Sequence, residues 1–449
     1  MFNRKKAVSV ILLLSILGSS ACSSEKNSAK TSASRVTESE SVDETSTSKE
    51  SRTTTESATE TTTETTTEST TESTTESTTE STTESTTEST TEETTTATSA
   101  SGKASDELFD QKKAEDYFEN TDFDGAVLVS RNREIVWKSA FGLADREKNV
   151  ANSVDTVFEF GSITKQFTAV AIMQLVEQGK ISTEDTLDKY LPDYAYADRV
   201  TIHQLLNMTS GIPDYLERGV IGISLDDVKN FDFSDLDALK KKMAELASTK
   251  VDPHELPKKM SDYQLNFQPG TDFEYSNTNY YFLGLIIEDL TGMSYYDYIQ
   301  KNILDPLDLK EIYPDIQHLT SKGRTKFLTL KFDLPSQDET ISYAAGVLTG
   351  TVEGLLKWEY CVLDGALLTK ESWDRIFDGG NFGYGYGWYV HKDHVTHSGM
   401  TLGYNASVIL DRDKGDVIIS LSNIQTLKTS LKTPMAADVT SYIRLNCMK

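Results

Sequence analysis

Between Glu56 and Glu92 a glutamate recurs at every fourth position, ten in all, and Ser69 to Glu92 consists of six tandem S-T-T-E units. This repeat limits where a fold can form. On a helix a period of four would stack like charges at i, i+4, and Thr is a poor helix former. The stretch has no apolar face to bury, so nothing offsets the entropy lost on ordering. Residues 23–104 are therefore expected to be a disordered stalk, solvated and extended by charge repulsion. At about 3.3–3.6 Å per residue, its roughly 80 residues could reach on the order of 250–290 Å. What remains, residues 105–449, is ample for one large core or for two lobes that share one.

The residues before the stalk read as an export signal. Arg4-Lys5-Lys6 precede the apolar run Ala7 to Leu17 and the small residues Gly18-Ser19-Ser20-Ala21, and the run is too short to span a bilayer. Cys22 follows at once. This arrangement resembles a bacterial lipoprotein signal, with Ser19 standing where such signals usually carry Leu. The resemblance implies lipidation at Cys22 and a protein anchored to the outer side of the cell membrane, the stalk acting as its tether; plain secretion needs the same signal. Cys361 and Cys447 could pair outside the cell, but Cys361 lies in the apolar helical run Leu355 to Leu363, which predicts an inert buried thiol.

Charge narrows the partners. Of the formal net charge of −26, residues 23–105 hold 17 acidic and 6 basic side chains, the signal carries three basic ones, and −18 is left for residues 106–449. A domain this acidic is a poor binder of nucleic acid or of an anionic membrane surface.

The chemistry concentrates in Phe158-Glu159-Phe160-Gly161-Ser162-Ile163-Thr164-Lys165. The segment Gln166 to Gln178 carries apolar residues at helical spacing, with Phe167, Val170, Met173 and Val176 forming a buried stripe, and Gly179 supplies the stop. A serine at the mouth of a helix has backbone N–H groups facing developing negative charge, and a lysine three residues on shares its face. That is a nucleophile with an amine placed to activate it. The plain alternative is a capping Ser and a solvated Lys, and S-x-x-K alone is a weak signal.

Around this stretch the pattern alternates between strand and helix. Gly125 to Ser130 and Ile135 to Gly142 read as a hairpin about Arg131-Asn132-Arg133-Glu134, and Tyr404 to Leu410 and Asp416 to Ser422 as another about Asp411 to Gly415. Helices are expected at Glu107 to Tyr117, Thr201 to Asn207, Leu236 to Ala247, Tyr280 to Thr291 and about Pro434 to Leu445. Strands at both ends with helices between predict an α+β fold: one antiparallel sheet built from both chain ends, flanked by helices, with an inserted helical lobe.

Two further stretches complete a constellation. Phe273-Glu274-Tyr275-Ser276-Asn277-Thr278-Asn279-Tyr280 offers a phenol and an amide two residues apart, and His397-Ser398-Gly399-Met400-Thr401 begins the C-terminal strands. With Ser162-Ile163-Thr164-Lys165 they resemble the three motifs of the serine β-lactamase and penicillin-binding protein family, in the Tyr-Ser-Asn and His-x-Gly form. That form is similar to the branch holding class C β-lactamases, D-alanyl-D-alanine carboxypeptidases and β-lactamase-like esterases, and most similar to the carboxypeptidases. Thr201 to Pro213 and Ala344-Ala345-Gly346 match as well, so the resemblance spans about 105–449.

The resemblance implies a β-lactamase-like fold and a serine hydrolase that forms an acyl-enzyme at Ser162, with Lys165 and Tyr275 moving protons. Asn277 would orient a substrate amide, and the backbone N–H groups of Ser162 and Met400 would form the oxyanion hole. Gly399 would leave room for the substrate, and His397 would stand, mostly neutral, where class C enzymes carry a Lys. Expected substrates are D-alanyl peptides of the cell wall, or small esters and amides, with no cofactor. The alternatives are a β-lactamase, an esterase, or a catalytically idle surface binding module. Outside this context Tyr275 would be read as a packed aromatic and Asn277 as a helix cap. His391, His394 and His397 invite a zinc site, but no carboxylate motif accompanies them and His394 and His397 would face opposite sides of a strand. No G-x-S-x-G occurs, and Gly383 to Gly387 are not followed by a helix, which disfavours an α/β-hydrolase and a nucleotide loop.

Overall fold

A computed structural model of the chain describes residues 108–220, 235–327, 330–426 and 433–449. The export signal, Cys22 and the S-T-T-E repeat lie outside the described residues. In chain order the elements that position the site are helix α1 (Gln111–Glu119), strands β1 (Gly125–Arg131), β2 (Glu134–Phe141) and β3 (Phe158–Glu159), helices α2 (Thr164–Glu177), α3 (Leu236–Ala247), α4 (Asn277–Thr291) and α5 (Val352–Leu363), strands β4 (Tyr389–Val390), β5 (Val395–Thr401), β6 (Tyr404–Asp411) and β7 (Asp416–Ser422), and helix α6 (Ala436–Asn446).

Six strands form one antiparallel sheet in the order β4-β5-β6-β7-β1-β2. The N-terminal hairpin closes onto the last strand, with Leu128 opposite Ile419, so both chain ends build the sheet as the sequence predicts. Its turn is a two-residue one. Asn132 and Arg133 both have positive φ (51° and 69°), the geometry of a type I′ turn whose second position usually holds Gly. Arg133 is held there by paired hydrogen bonds to Asp364 of 2.6 and 2.7 Å.

Strand β1 is buried along its whole length because both faces of the sheet are covered. Ala126 and Leu128 face the main core, while Val127 and Val129 face a smaller one, the period-two alternation of a strand. The smaller core lies under α1 and α6, where Phe118 stacks on Phe141 and Tyr117 on Tyr442. Cys447 is buried here, whereas Cys361 is only half-buried; both are free thiols, so the expectation of a buried Cys361 is corrected. The opposite face carries α5 against β1 and β7, and the helical lobe.

Helix α2 departs from the amphipathic stripe read in its sequence. Every residue from Thr164 to Met173 is buried, since α4 and the Tyr343–Ala345 turn pack against the helix and Trp358 of α5 stacks on Phe167 at 4.0 Å. It is a central helix, and its few polar residues must find partners inside the protein. Gly179, at φ +68°, ends it: its N–H bonds to Val176 O and that of Lys180 to Leu175 O. Helix α1 begins at Gln111, where Asp110 accepts from Lys113 N and caps it; Glu107, the expected start, lies outside the described residues. Helix α4 begins at Asn277, three residues before the expected start, which places that side chain in the first helical turn.

Candidate active site

Ser162 sits in a tight turn, Gly161–Ile163, between β3 and α2. Gly161 has φ +53°, and a Cβ there would stand 2.5 Å from Met400 N. Gly399 is equally constrained, since a Cβ would lie 1.8 Å from Phe160 O and 2.9 Å from Ser162 N. The two glycines let β5 press its backbone against the serine turn, which brings the amides of Ser162 and Met400 to the same place. Gly399 was read as leaving room for substrate; on the side where its Cβ would stand, the space is filled by the protein's own backbone.

Lys165 is fully buried on α2, and its Nζ meets three oxygens: Ser162 Oγ at 3.0 Å, Asn277 Oδ1 at 2.8 Å and Ala345 O at 2.8 Å. Burial, against the attraction of Asp214, pushes its pKa down to about 7. The contact set has a chemical meaning in the neutral form. An amine donates two hydrogens and keeps one lone pair. The Asn277 amide oxygen and the Ala345 carbonyl can only accept, so they take the two hydrogens and the lone pair is left facing the Ser162 hydroxyl.

Both fixed acceptors are themselves held. Asp214, which is buried, accepts from Asn277 N (3.0 Å) and Asn277 Nδ2 (2.7 Å) through one oxygen and from Leu216 N (2.9 Å) through the other. The amide of Asn277 is thereby oriented with Oδ1 toward Lys165. The Tyr343–Ala345 turn presents successive carbonyls to α2, with Ala344 O accepting from Thr168 Oγ1 at 2.7 Å and Ala345 O from Lys165. Tyr343 takes φ +40° to make this turn, an uncommon conformation for a bulky residue and one often found beside working sites.

Tyr275 lies over Lys165, whose Nζ is 5.0 Å from the ring centroid. The ring is partly exposed, while its hydroxyl is covered and has no hydrogen bond of good geometry. Burial holds the phenol well above its ordinary pKa, with the nearby Ser162 hydroxyl pulling the other way. Lys165 and Tyr275 are thus pushed in opposite directions, one toward the free amine and the other toward the intact phenol.

His397 is placed differently from its sequence reading. It is wholly buried, with its ring centroid 6.1 Å from that of Tyr275. Nδ1–H donates to Ser398 O at 2.8 Å and Nε2 accepts from the Tyr384 hydroxyl at 3.1 Å, so both nitrogens are used inside the protein. Burial, then the charge of Lys165, push its pKa down to about 3. The residue supports the Tyr275 wall as a neutral ring, and a substrate contact would require it to be uncovered.

The sequence reading placed Ser162, Lys165, Tyr275, Asn277, His397, Gly399 and Met400 at one site; the fold brings these together, but both ring nitrogens of His397 are taken by partners inside the protein. It missed Asp214, although that residue directly follows the Ser210-Gly211-Ile212-Pro213 stretch; a carboxylate after an apolar turn was the available signal. The Ala345 carbonyl has no side-chain signature beyond the Ala344-Ala345-Gly346 run.

Comparison with known proteins places this arrangement. The family model described as Beta-lactamase matches residues 111–439. The PbpX protein of Bacillus subtilis, named as a penicillin-binding protein, is 27% identical over 325 residues, covering 70% of this chain and 74% of that protein. Among solved structures, a D-stereospecific amidohydrolase from Streptomyces sp. superposes with a TM-score of 0.59 at 22% identity, covering 74% of this chain and 98% of the other. A penicillin-binding protein from Bacillus halodurans superposes with a TM-score of 0.58 at 22% identity, covering 74% and 99%. The residues matched by the family model are those that build the sheet, the buried helix and the Ser162 turn, and the chain belongs to the beta-lactamase family of serine hydrolases that also holds the penicillin-binding proteins.

Proposed function

We propose that the protein is an extracytoplasmic acyl-transferring hydrolase that acts on D-alanyl peptides of the cell wall through an acyl-enzyme at Ser162. The observation that carries this reading is the placement of Lys165 Nζ 3.0 Å from Ser162 Oγ, with the acceptors Asn277 Oδ1 and Ala345 O as its other two partners. Neutral Lys165 takes the Ser162 proton as Oγ attacks the carbonyl carbon, and the amides of Ser162 and Met400 receive the developing oxyanion. Tyr275, held as a phenol, passes a proton to the leaving amine, and Lys165 restores it. Water then attacks the ester by the reverse route. The D-stereospecific amide substrate named for a structural neighbour and the penicillin-binding name of a relative are consistent with a D-configured acyl donor.

A second reading has a specific observation behind it. His397 is neutral and sealed, so it offers no cation to a substrate carboxylate, and an uncharged D-amino amide or ester would lose nothing by that. Incubation with a D-Ala-D-Ala peptide and, separately, with a D-alanine amide decides between the two. Free D-alanine from the peptide supports the carboxypeptidase reading, while cleavage of the amide or of simple esters alone moves the assignment to an amidase or esterase. Penicillin should acylate slowly and persist. Rapid loss of the adduct with efficient turnover would make the protein a β-lactamase.

The location rests on Cys22. Changing Cys22→Ala should release the protein to the medium or leave it unprocessed, as read by fractionation and N-terminal mass. A membrane-bound variant with a cleaved N-terminus would refute the lipid anchor.

A further inference from the structure

The cavity beside Ser162, about 30 Å³ in volume, has an apolar wall and a polar one, the polar side chains being Asn277, Gln337, Ser342 and Thr401. Tyr275 does not line it. The leaving group must lie within reach of the Tyr275 hydroxyl, so the cavity faces the acyl half of a substrate. A space of this size takes one edge of that half, and the rest of a peptidyl or penicilloyl group extends out of it.

Most of the polar wall is already committed. Asn277 Oδ1 accepts from Lys165, and Asn277 Nδ2 donates to Asp214. The Thr401 hydroxyl is covered and meets the Glu159 carboxyl. Gln337 differs. It is only 8% exposed, and its Nε2 donates to Ser342 Oγ. That bond uses one end of the amide. Oε1 accepts no hydrogen bond among the described residues, and it is left as the free acceptor of the wall. An amide oxygen in so enclosed a place gains most from a donor that arrives with the substrate.

The backbone around Gln337 is held on both sides. Asp338 N donates to Ala247 O at 2.7 Å, and Asp338 Oδ1 caps the short helix Glu339–Ser342 by accepting from Thr340 N at 3.1 Å. The Tyr281 hydroxyl donates to Thr340 O at 2.9 Å, and that of Tyr215 donates to Ile341 O. The Gln337–Ser342 bond spans this helix, whose end runs into the Tyr343–Ala345 turn that holds Lys165. The free acceptor is thus positioned by the same backbone as the base.

We infer that Gln337 is a specificity-determining residue whose Oε1 accepts a hydrogen bond from an N–H on the carbon next to the acyl carbonyl. This rests on the acyl-enzyme reading of Ser162 and adds which group of the acyl half is recognised. A D-alanyl peptide and a penicillin both carry an acylamino N–H at that carbon. The test compares the p-nitrophenyl ester of N-acetyl-D-alanine with that of O-acetyl-D-lactic acid, in which oxygen replaces the N–H. Both are given to the wild type, Gln337→Leu and Gln337→Glu, and fluorophosphonate labelling of Ser162 is the reference that involves no such N–H. The wild type should favour the N–H ester about tenfold in kcat/KM. In Gln337→Leu that ratio should fall to near one while the labelling rate is kept. Gln337→Glu retains an acceptor, so it should keep the ratio and raise kcat/KM for the D-alanine ester with a free ammonium group. This second variant decides the matter if Gln337→Leu does not fold. Equal rates for the two esters in the wild type, a ratio that survives in folded Gln337→Leu, or no gain for the ammonium ester in folded Gln337→Glu overturns the role of Gln337 and leaves the acyl-enzyme standing. If neither ester nor fluorophosphonate modifies Ser162 in the wild type, both fall.

Discussion

Replacing Lys165 by Ala should lower the second-order rate of Ser162 acylation by about 10³-fold or more, the scale on which a positioned base contributes. The effect should be seen with a fluorescent penicillin or a fluorophosphonate, and the fold should survive, since Ala removes a buried amine rather than a packing element. The pH dependence gives the same residue a second signature. Lys165 acts as the free amine and its pKa is pushed down to about 7. In the wild type the acylation rate should therefore rise about tenfold per pH unit below 7 and level off above it. Tyr275, held well above its ordinary value, adds no limb in this range. In Lys165→Ala the limb near 7 should vanish along with the rate. A variant that keeps both the rate and the limb would transfer the base role to another group.

The second large effect belongs to Asp214. Its carboxylate accepts from three N–H groups, and Asp214→Ala leaves those donors unpaired in a buried setting. A loss of stability of about 2–4 kcal/mol is expected from such a change. Acylation should also fall, on the order of 10²-fold, because the Asn277 amide is no longer held with its oxygen toward Lys165. Asp214→Asn separates positioning from mere structure. The negative charge of Asp214 raises the Lys165 pKa against the effect of burial, so removing it should move the acid limb to lower pH. The measurement is the pH profile of acylation in the folded Asn variant. A limb unchanged from the wild type would leave Asp214 with a structural role only.

The contrast between Lys165 and Asp214 marks what the sequence makes legible. Ser162 and Lys165 were readable because a helix fixes their spacing, so three residues apart means one face. The hairpins at Arg131–Glu134 and Asp411–Gly415 were readable because turn chemistry is local. Asp214 and the Ala345 carbonyl act across 63 and 180 residues of sequence, and no local pattern announces a carboxylate or a carbonyl that acts through another residue. The all-round burial of α2 was hidden for a similar reason: the apolar stripe marks one face, and the burial of the polar residues Thr164, Lys165, Gln166 and Thr168 follows only once the lobe that covers them is in place. His397 was read as a mostly neutral substrate contact, and its burial behind Tyr384 depends on a ring that the motif does not contain.

The central claim is that Ser162 becomes an ester. Treating the protein with benzylpenicillin and recording its intact mass, then digesting and sequencing the modified peptide, tests it most directly. The account predicts one adduct per chain, carried by the peptide containing Ser162 and absent from Ser162→Ala. Adduct on another residue, or an adduct that persists in Ser162→Ala, would contradict it.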